Sequence, residues 1–311
     1  MKKLPSILAL GCFLLAPAFA GASIDTSVSF SYGAADSRFD ENGDKKDLHE
    51  VLGVPEDADI NASFMIIGLG AGYEVMDGLR VSLDLPIVQK TFKVEVGGQV
   101  AADNSAFGLG DPTIGATYTH SINDTLSVGG GLDVKLSLGE SEEELANTTD
   151  EALHITAKGM VSATPVDNLG IDLDLGYIVA IGGPSFPLSE DVSVDLDHGD
   201  ILFANLYLGY SIEGITPRLG VHYSQTSAIT YAEDFAAGNA SAGDEFGENT
   251  DKNRMSVSFA VDYDIDDSMS VTAGIGTNSI HEGTNLPYGY ALSGKNYSTG
   301  LAFGLGFNAS F

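Results

Sequence analysis

Apolar and polar residues alternate along most of this chain. In residues 79–88, apolar side chains occupy the odd positions, while Arg80, Ser82 and Asp84 are on the even ones. The same pattern recurs at residues 126–138, 169–177, 255–263 and 301–311. A period of two puts successive side chains on opposite faces of a β-strand. The pattern therefore predicts an all-β protein whose strands have one apolar face and one polar face.

The connections between the predicted strands are alternately short and long. Short turns are predicted at residues 76–78, 123–124, 165–168, 213–214 and 266–267. Long polar segments are predicted at residues 34–59, 96–110, 139–152, 183–199, 228–252 and 281–297. A β-sandwich gives no reason for this alternation, whereas outer-membrane barrels have short periplasmic turns and long extracellular loops. We expect a transmembrane antiparallel up-and-down β-barrel of about twelve strands.

The last predicted strand ends in an aromatic residue, Phe311. Such an ending resembles the signal that the barrel-assembly machinery of the outer membrane recognises, so we predict that Phe311 is an assembly signal. The alternative is the last strand of some other secreted β protein. In a closed barrel this strand must pair antiparallel with the first predicted strand, Ile24–Tyr32, because closure removes the exposed edges.

The N-terminus has the features of a secretory signal peptide. Lys2 and Lys3 precede an apolar run, and Ala18-Phe19-Ala20 supplies small residues for cleavage. We expect residues 1–20 to be the signal peptide and residues 21–311 the barrel. The only cysteine, Cys12, lies in the apolar run, so a lipoprotein signal is the alternative. Cleavage would leave a mature chain without disulfides or thiolate chemistry.

The charge of the chain limits its partners. Formal net charge is −30, which disfavours nucleic acid as a partner, since that needs basic patches. Acidic runs fall in the predicted long loops, where they are typical of solvated surface and can also contact lipopolysaccharide through divalent ions. Asp40-Glu41-Asn42-Gly43-Asp44 superficially resembles a calcium loop, but aligning Gly43 puts Arg38 first and His49 last, which breaks the pattern. We predict no metal site and no cofactor.

Charged and polar residues of the alternating strands should face the inside of the barrel, where side chains tune selectivity. The predicted pore-lining residues are Arg80, Asp84, Lys90, Asp133, Lys135, His154, Lys158, Asp172, Asp174, Arg218, His222 and Asp262. Both signs of charge occur on neighbouring strands. Two interpretations stay open: ion pairs that fill a narrow lumen, or a charged lining for a pore.

A catalytic site is not evident. His222 and Ser224 are two residues apart on one strand face, whereas a serine hydrolase needs its base and nucleophile within hydrogen-bond reach and a third group that orients the base. Two such neighbours on a strand are too distant for a good bond. His49, His198 and His281 have no metal-ligand spacing. We therefore predict that the protein is not an enzyme.

Two stretches resemble a known family. Residues 81–88 contain a Leu85-Pro86 step, and residues 107–118 begin a strand after Gly108-Leu109-Gly110-Asp111. Both resemble the outer-membrane family of the MetA-type pathway of phenol degradation. The resemblance implies an outer-membrane channel for passive uptake of small molecules, often hydrophobic or aromatic. Alternatives are a closed structural or interaction barrel with acidic loops and, further off, a protein exporter or an outer-membrane hydrolase.

Overall fold

The computed structural model describes residues 24–39, 45–103, 105–137, 152–182, 185–189, 192–197, 199–227, 230–231, 252–277 and 297–311. Several sequence predictions lie outside these residues. They are the signal peptide with Cys12, the acidic runs at 40–44, 140–144, 190–191 and 244–251, and the loop residues His198 and His281.

Within the described residues, 12 strands form one barrel. They are β1 Ile24–Phe39, β2 Asp59–Met76, β3 Leu79–Val96, β4 Thr113–Asn123, β5 Leu126–Lys135, β6 Leu153–Val166, β7 Leu169–Ile181, β8 Ile201–Tyr210, β9 Ile215–Thr226, β10 Lys252–Asp266, β11 Met269–Gly276 and β12 Tyr297–Ser310. Each strand pairs antiparallel with the next, and β12 pairs antiparallel with β1, with Asp25 opposite Ser310. The predicted closure of the barrel by the last strand is confirmed.

Short hairpin turns join the strands at one end of the barrel, where the sequence predicted them. Local chemistry explains these turns. The Asn123 side chain accepts a hydrogen bond from the Thr125 backbone N–H at 2.9 Å, and Asp266 accepts one from the Ser268 N–H at 2.9 Å. Asn168 adopts a positive φ of 69°, a conformation that asparagine tolerates better than most residues.

The long connections contain more regular structure than the sequence predicted. β1 continues to Phe39 instead of ending at Tyr32, and short strands lie at Lys45–Asp47, Gln99–Asp103, Ala106–Leu109, Ser185–Ser189, Val192–Asp197 and Thr230–Tyr231. A helix, α1, spans Leu48–Leu52. Backbone pairing accounts for the extra strands. For example, β3 runs on to Val96, and the chain turns back so that Gln99 pairs with Val96. No helix in the described ranges is long and apolar enough to cross a membrane.

The two faces of the wall differ in chemistry. Outward side chains such as Leu83, Phe259 and Phe303 are apolar and exposed. Lipid covers such a surface in a membrane, and closure leaves no strand edge without hydrogen bonds. Inward positions along β1 and β2 include Ser27 opposite Gly70 and Ser29 opposite Gly68. The alternation read from the sequence therefore separates a lipid-facing surface from a largely polar interior.

Candidate functional site

The register of the strands puts all of the predicted pore-lining residues on the inner face. Residues directly opposite each other in an antiparallel pair lie on the same face. One such row runs from Asp84 to Thr113, Lys135 and His154 across β3 to β6. The other predicted residues lie in rows of the same parity. All of the predicted residues therefore contribute to one inner surface of the barrel.

The wall formed by β3 to β6 carries an acid and base cluster. Lys158 Nζ donates to Asp133 Oδ2 at 2.8 Å, and Asp84 lies close enough to both to interact electrostatically. Lys135 Nζ lies 4.0 Å from Asp111 Oδ2, and both side chains are buried. A buried carboxylate is costly without a nearby cation, so these groups depend on each other.

Asp111 was not among the predicted pore-lining residues. Its signal in the sequence is the Gly108-Leu109-Gly110-Asp111 turn that carries part of the family resemblance. Gly110 N–H donates to the Pro86 carbonyl at 2.8 Å and Leu136 N–H donates to the Pro112 carbonyl at 2.8 Å. The turn is thereby held against β3 and the end of β5, and Asp111 is fixed beside Lys135.

Further ion pairs line other parts of the interior. Arg80 Nη1 lies 2.8 Å from Asp25 Oδ2, joining β3 to β1. On the opposite wall, Arg218 Nε lies 3.5 Å from Asp262 Oδ2, and its guanidinium carbon lies 5.6 Å from the centre of the Tyr207 ring. The sequence named the two arginines and Asp262, but it missed Asp25 and Tyr207. Charges of both signs are therefore paired around the lumen.

His222 takes part in a network that sequence reasoning did not anticipate. Its Nδ1 lies 3.1 Å from Asn205 Oδ1, and its Nε2 lies 2.8 Å from Ser258 Oγ. The amide oxygen can only accept, so Nδ1 donates to it, and in the neutral ring Nε2 then accepts from the Ser258 hydroxyl. Gly220 makes room for this contact, because a Cβ there would lie 2.4 Å from Ser258 Oγ. The partner serine is thus Ser258, on the neighbouring strand, and not Ser224.

This network has the order of nucleophile, base and orienting group, but it lacks a clear oxyanion site. Ser258 pairs with Gly220 on one side and Gly276 on the other, within ladders where backbone N–H groups serve the sheet. Acyl transfer needs donors aimed at the developing oxyanion. Among the described residues, the arrangement therefore fits a fixed polar network on the inner wall.

The two ends of the lumen differ. Near the short turns, a polar cavity of about 170 Å³ lies against β4 to β7, and Ser121, Ser127, Ser162 and Asp172 are among its lining residues. Toward the long connections, an apolar cluster of inner-wall residues is covered by Leu48 of α1. The part of the chain that the structure describes contains no group of three or more His, Cys, Asp or Glu side chains suited to a metal ion.

A closed antiparallel barrel with an apolar exterior and a charged, polar interior is the structure of an outer-membrane channel, and it locates the protein in the outer membrane of a Gram-negative-type bacterium. The chain belongs to the family of the MetA-pathway of phenol degradation, whose model matches residues 57–295. This match confirms the resemblance found in residues 81–118. No curated protein sequence gives a significant match.

Among solved structures, the COG4313 outer membrane channel from Pseudomonas putida F1 has a TM-score of 0.67 and 14% identity, covering 94% of this chain and 96% of that one. The NanC porin has a TM-score of 0.46 and 10% identity, covering 93% and 100%. The CymD monoaromatic hydrocarbon channel has a TM-score of 0.42 and 11% identity, covering 93% and 88%. The first likeness shows the barrel fold, and the two weaker ones add nothing to it.

Proposed function

We propose that this protein is a passive channel through which small molecules, hydrophobic or aromatic ones among them, enter across the outer membrane. The observation that carries the proposal is an inner face lined with paired charges of both signs, such as Lys158 with Asp133 at 2.8 Å, inside an apolar exterior. Membership of the phenol-degradation family supports the aromatic solute class. The predicted pore-lining residues would set which solutes pass.

Planar-bilayer recording tests the channel. Protein purified from outer membranes should give stepwise openings, and reversing the charge of Lys135 and Lys158 should change the current. Heat-unfolded protein is the control. An absence of openings from folded protein would argue against a pore. Liposome swelling with small neutral solutes would then measure which of them pass.

A closed interaction barrel is the second candidate, and the apolar cluster under α1 favours it because Leu48, which comes from a connection, packs onto the inner wall. In this alternative the acidic loops would bind lipopolysaccharide through divalent ions. It predicts that the protein gives no current steps in a planar bilayer and that its melting temperature falls when a chelator is added. A melt that is insensitive to the chelator would count against the divalent bridge.

Further parts of the proposal concern export and assembly. Residues 1–20 would be removed as a signal peptide, which N-terminal sequencing of the membrane form checks. The barrel-assembly machinery would recognise Phe311. The protein would not be an enzyme: a fluorophosphonate probe should label it no more than it labels a Ser258→Ala variant. Labelling that needs both Ser258 and His222 would refute this part.

A further inference from the structure

The helix α1 covers an apolar region of the inner wall. Leu48, on α1, is only 4% exposed. It belongs to one packed cluster with Phe64 and Ile66 of β2 and Val88 of β3, which are 2%, 4% and 1% exposed. Ile60 and Phe92 pack around this cluster, which also includes Ala62 and Ala302. We name this group of residues the apolar site.

The apolar site lies on the inner face. Phe64 is opposite Lys90, a predicted pore-lining residue, and Ile66 is opposite Val88 in a row of the same parity. Large apolar side chains that faced a water-filled lumen would be exposed, as the outward ones are. Their burial therefore requires a cover. In the described residues, Leu48 is the member of this cluster that comes from a connection and not from the barrel wall.

The wall is shaped for the ring of Phe64. A Cβ at Gly33 would lie 2.4 Å from Phe64 Cε1, so the ring lies directly over the backbone of β1. Glycine at this position makes that close approach possible. The apolar site therefore contains an aromatic ring together with aliphatic side chains.

Polar contacts hold α1 over the apolar site. The side chain of Asp47 accepts from the His49 N–H at 2.8 Å at the start of the helix. The His49 ring contacts Asp47 Oδ1 at 2.8 Å and the Ala58 carbonyl at 2.9 Å. Residues 45–47 pair with residues 37–39 of β1. The contacts that hold the helix are therefore polar and mostly exposed, whereas Leu48 is a buried member of the apolar site.

From this arrangement we infer that the barrel-wall residues of the apolar site bind a small uncharged apolar or aromatic molecule, in the place that the Leu48 side chain occupies in this structure. The inference rests on the proposed channel function and names the solute class and the step that admits the solute. The isobutyl group of leucine is slightly smaller than a benzene ring, and dry cavities lined by such side chains bind benzene. Displacement of α1 would open the site toward the long connections.

Removal of the Leu48 side chain tests the inference. Fluorobenzene binding is measured by ¹⁹F NMR on folded protein in detergent. In wild type the probe competes with Leu48 for the apolar site, so Leu48→Ala should bind at least about tenfold more tightly. Leu83→Ala, which removes an outward leucine, is the matched control and should bind like wild type. Equal affinity of wild type and Leu48→Ala, or no binding by either, would overturn the inference.

A second substitution locates the bound molecule. Val88→Phe, added to Leu48→Ala, fills the apolar site from the wall and should abolish the gain in affinity. If Leu48→Ala does not fold, Leu48→Val provides a smaller cavity and a smaller gain. Fluorobenzene binding without openings in the bilayer would support the apolar site and contradict the proposed channel. Openings without fluorobenzene binding would support the channel and contradict the apolar site.

Discussion

The ion pair between Lys158 and Asp133 predicts opposite effects for its two single substitutions. With both groups present 2.8 Å apart, their fields largely cancel a short distance away. Lys158→Met leaves a negative charge on the inner wall, and Asp133→Asn leaves a positive one. The first variant should therefore favour cations in the lumen and the second should favour anions.

Coulomb's law gives the size of this effect. A monovalent ion that passes about 5 Å from the uncompensated charge in a water-filled lumen gains or loses about 0.8 kcal/mol. This energy changes the local ion concentration about fourfold at low salt, and screening at 0.15 M reduces the factor to about two. Because one ion type is enriched while the other is depleted, the cation-to-anion permeability ratio should change about fourfold at 0.15 M.

Reversal potentials in a salt gradient measure this ratio. Lys158→Arg keeps the charge and should match wild type, and the double variant Lys158→Met with Asp133→Asn should return close to wild type. The shifts should grow as salt is lowered. If both single variants leave the reversal potential unchanged, or move it in the same direction, the pair does not border the path of the ions and the reasoning is refuted.

Two further predictions concern the ends of the barrel. The hydrogen bond to the Ala58 carbonyl and then the hydrogen bond to Asp47 raise the pKa of His49 above its ordinary value. The stabilisation of α1 by protonated His49 is therefore complete below the ordinary pKa of histidine and is lost as pH rises through the raised pKa. Wild-type fluorobenzene binding should therefore increase from about pH 6 to pH 9. A His49→Gln variant should lose this dependence and the surface control His120→Gln should keep it; a flat wild-type profile would contradict the role of His49. Phe311→Ala keeps backbone bonds with Ile24 at 2.9 and 3.2 Å, so refolding in detergent should change little while the amount in the outer membrane falls. Equal losses in both measurements would indicate a stability effect and not a recognition signal.

The sequence by itself determined the class of fold and the face of each strand residue. The period of two is local, since successive side chains on a strand must point to opposite sides. That is why the sequence alone predicts that Lys90, Lys135 and Arg218 face the interior. Turn residues such as Asn168 also act locally, and the pairing of the last strand with the first follows from the need to close the edge.

Only the tertiary structure decided which side chains meet across strands. Asn205, His222 and Ser258 come together because of the register of β8, β9 and β10, and nothing within one strand sets that register. The contact of Leu48 with the inner wall depends on how the connection after β1 folds back, and no alternation of apolar and polar residues within this connection indicates it. Contacts between distant parts of the chain depend on the whole barrel, whereas the direction of a side chain on a strand depends on its neighbours alone.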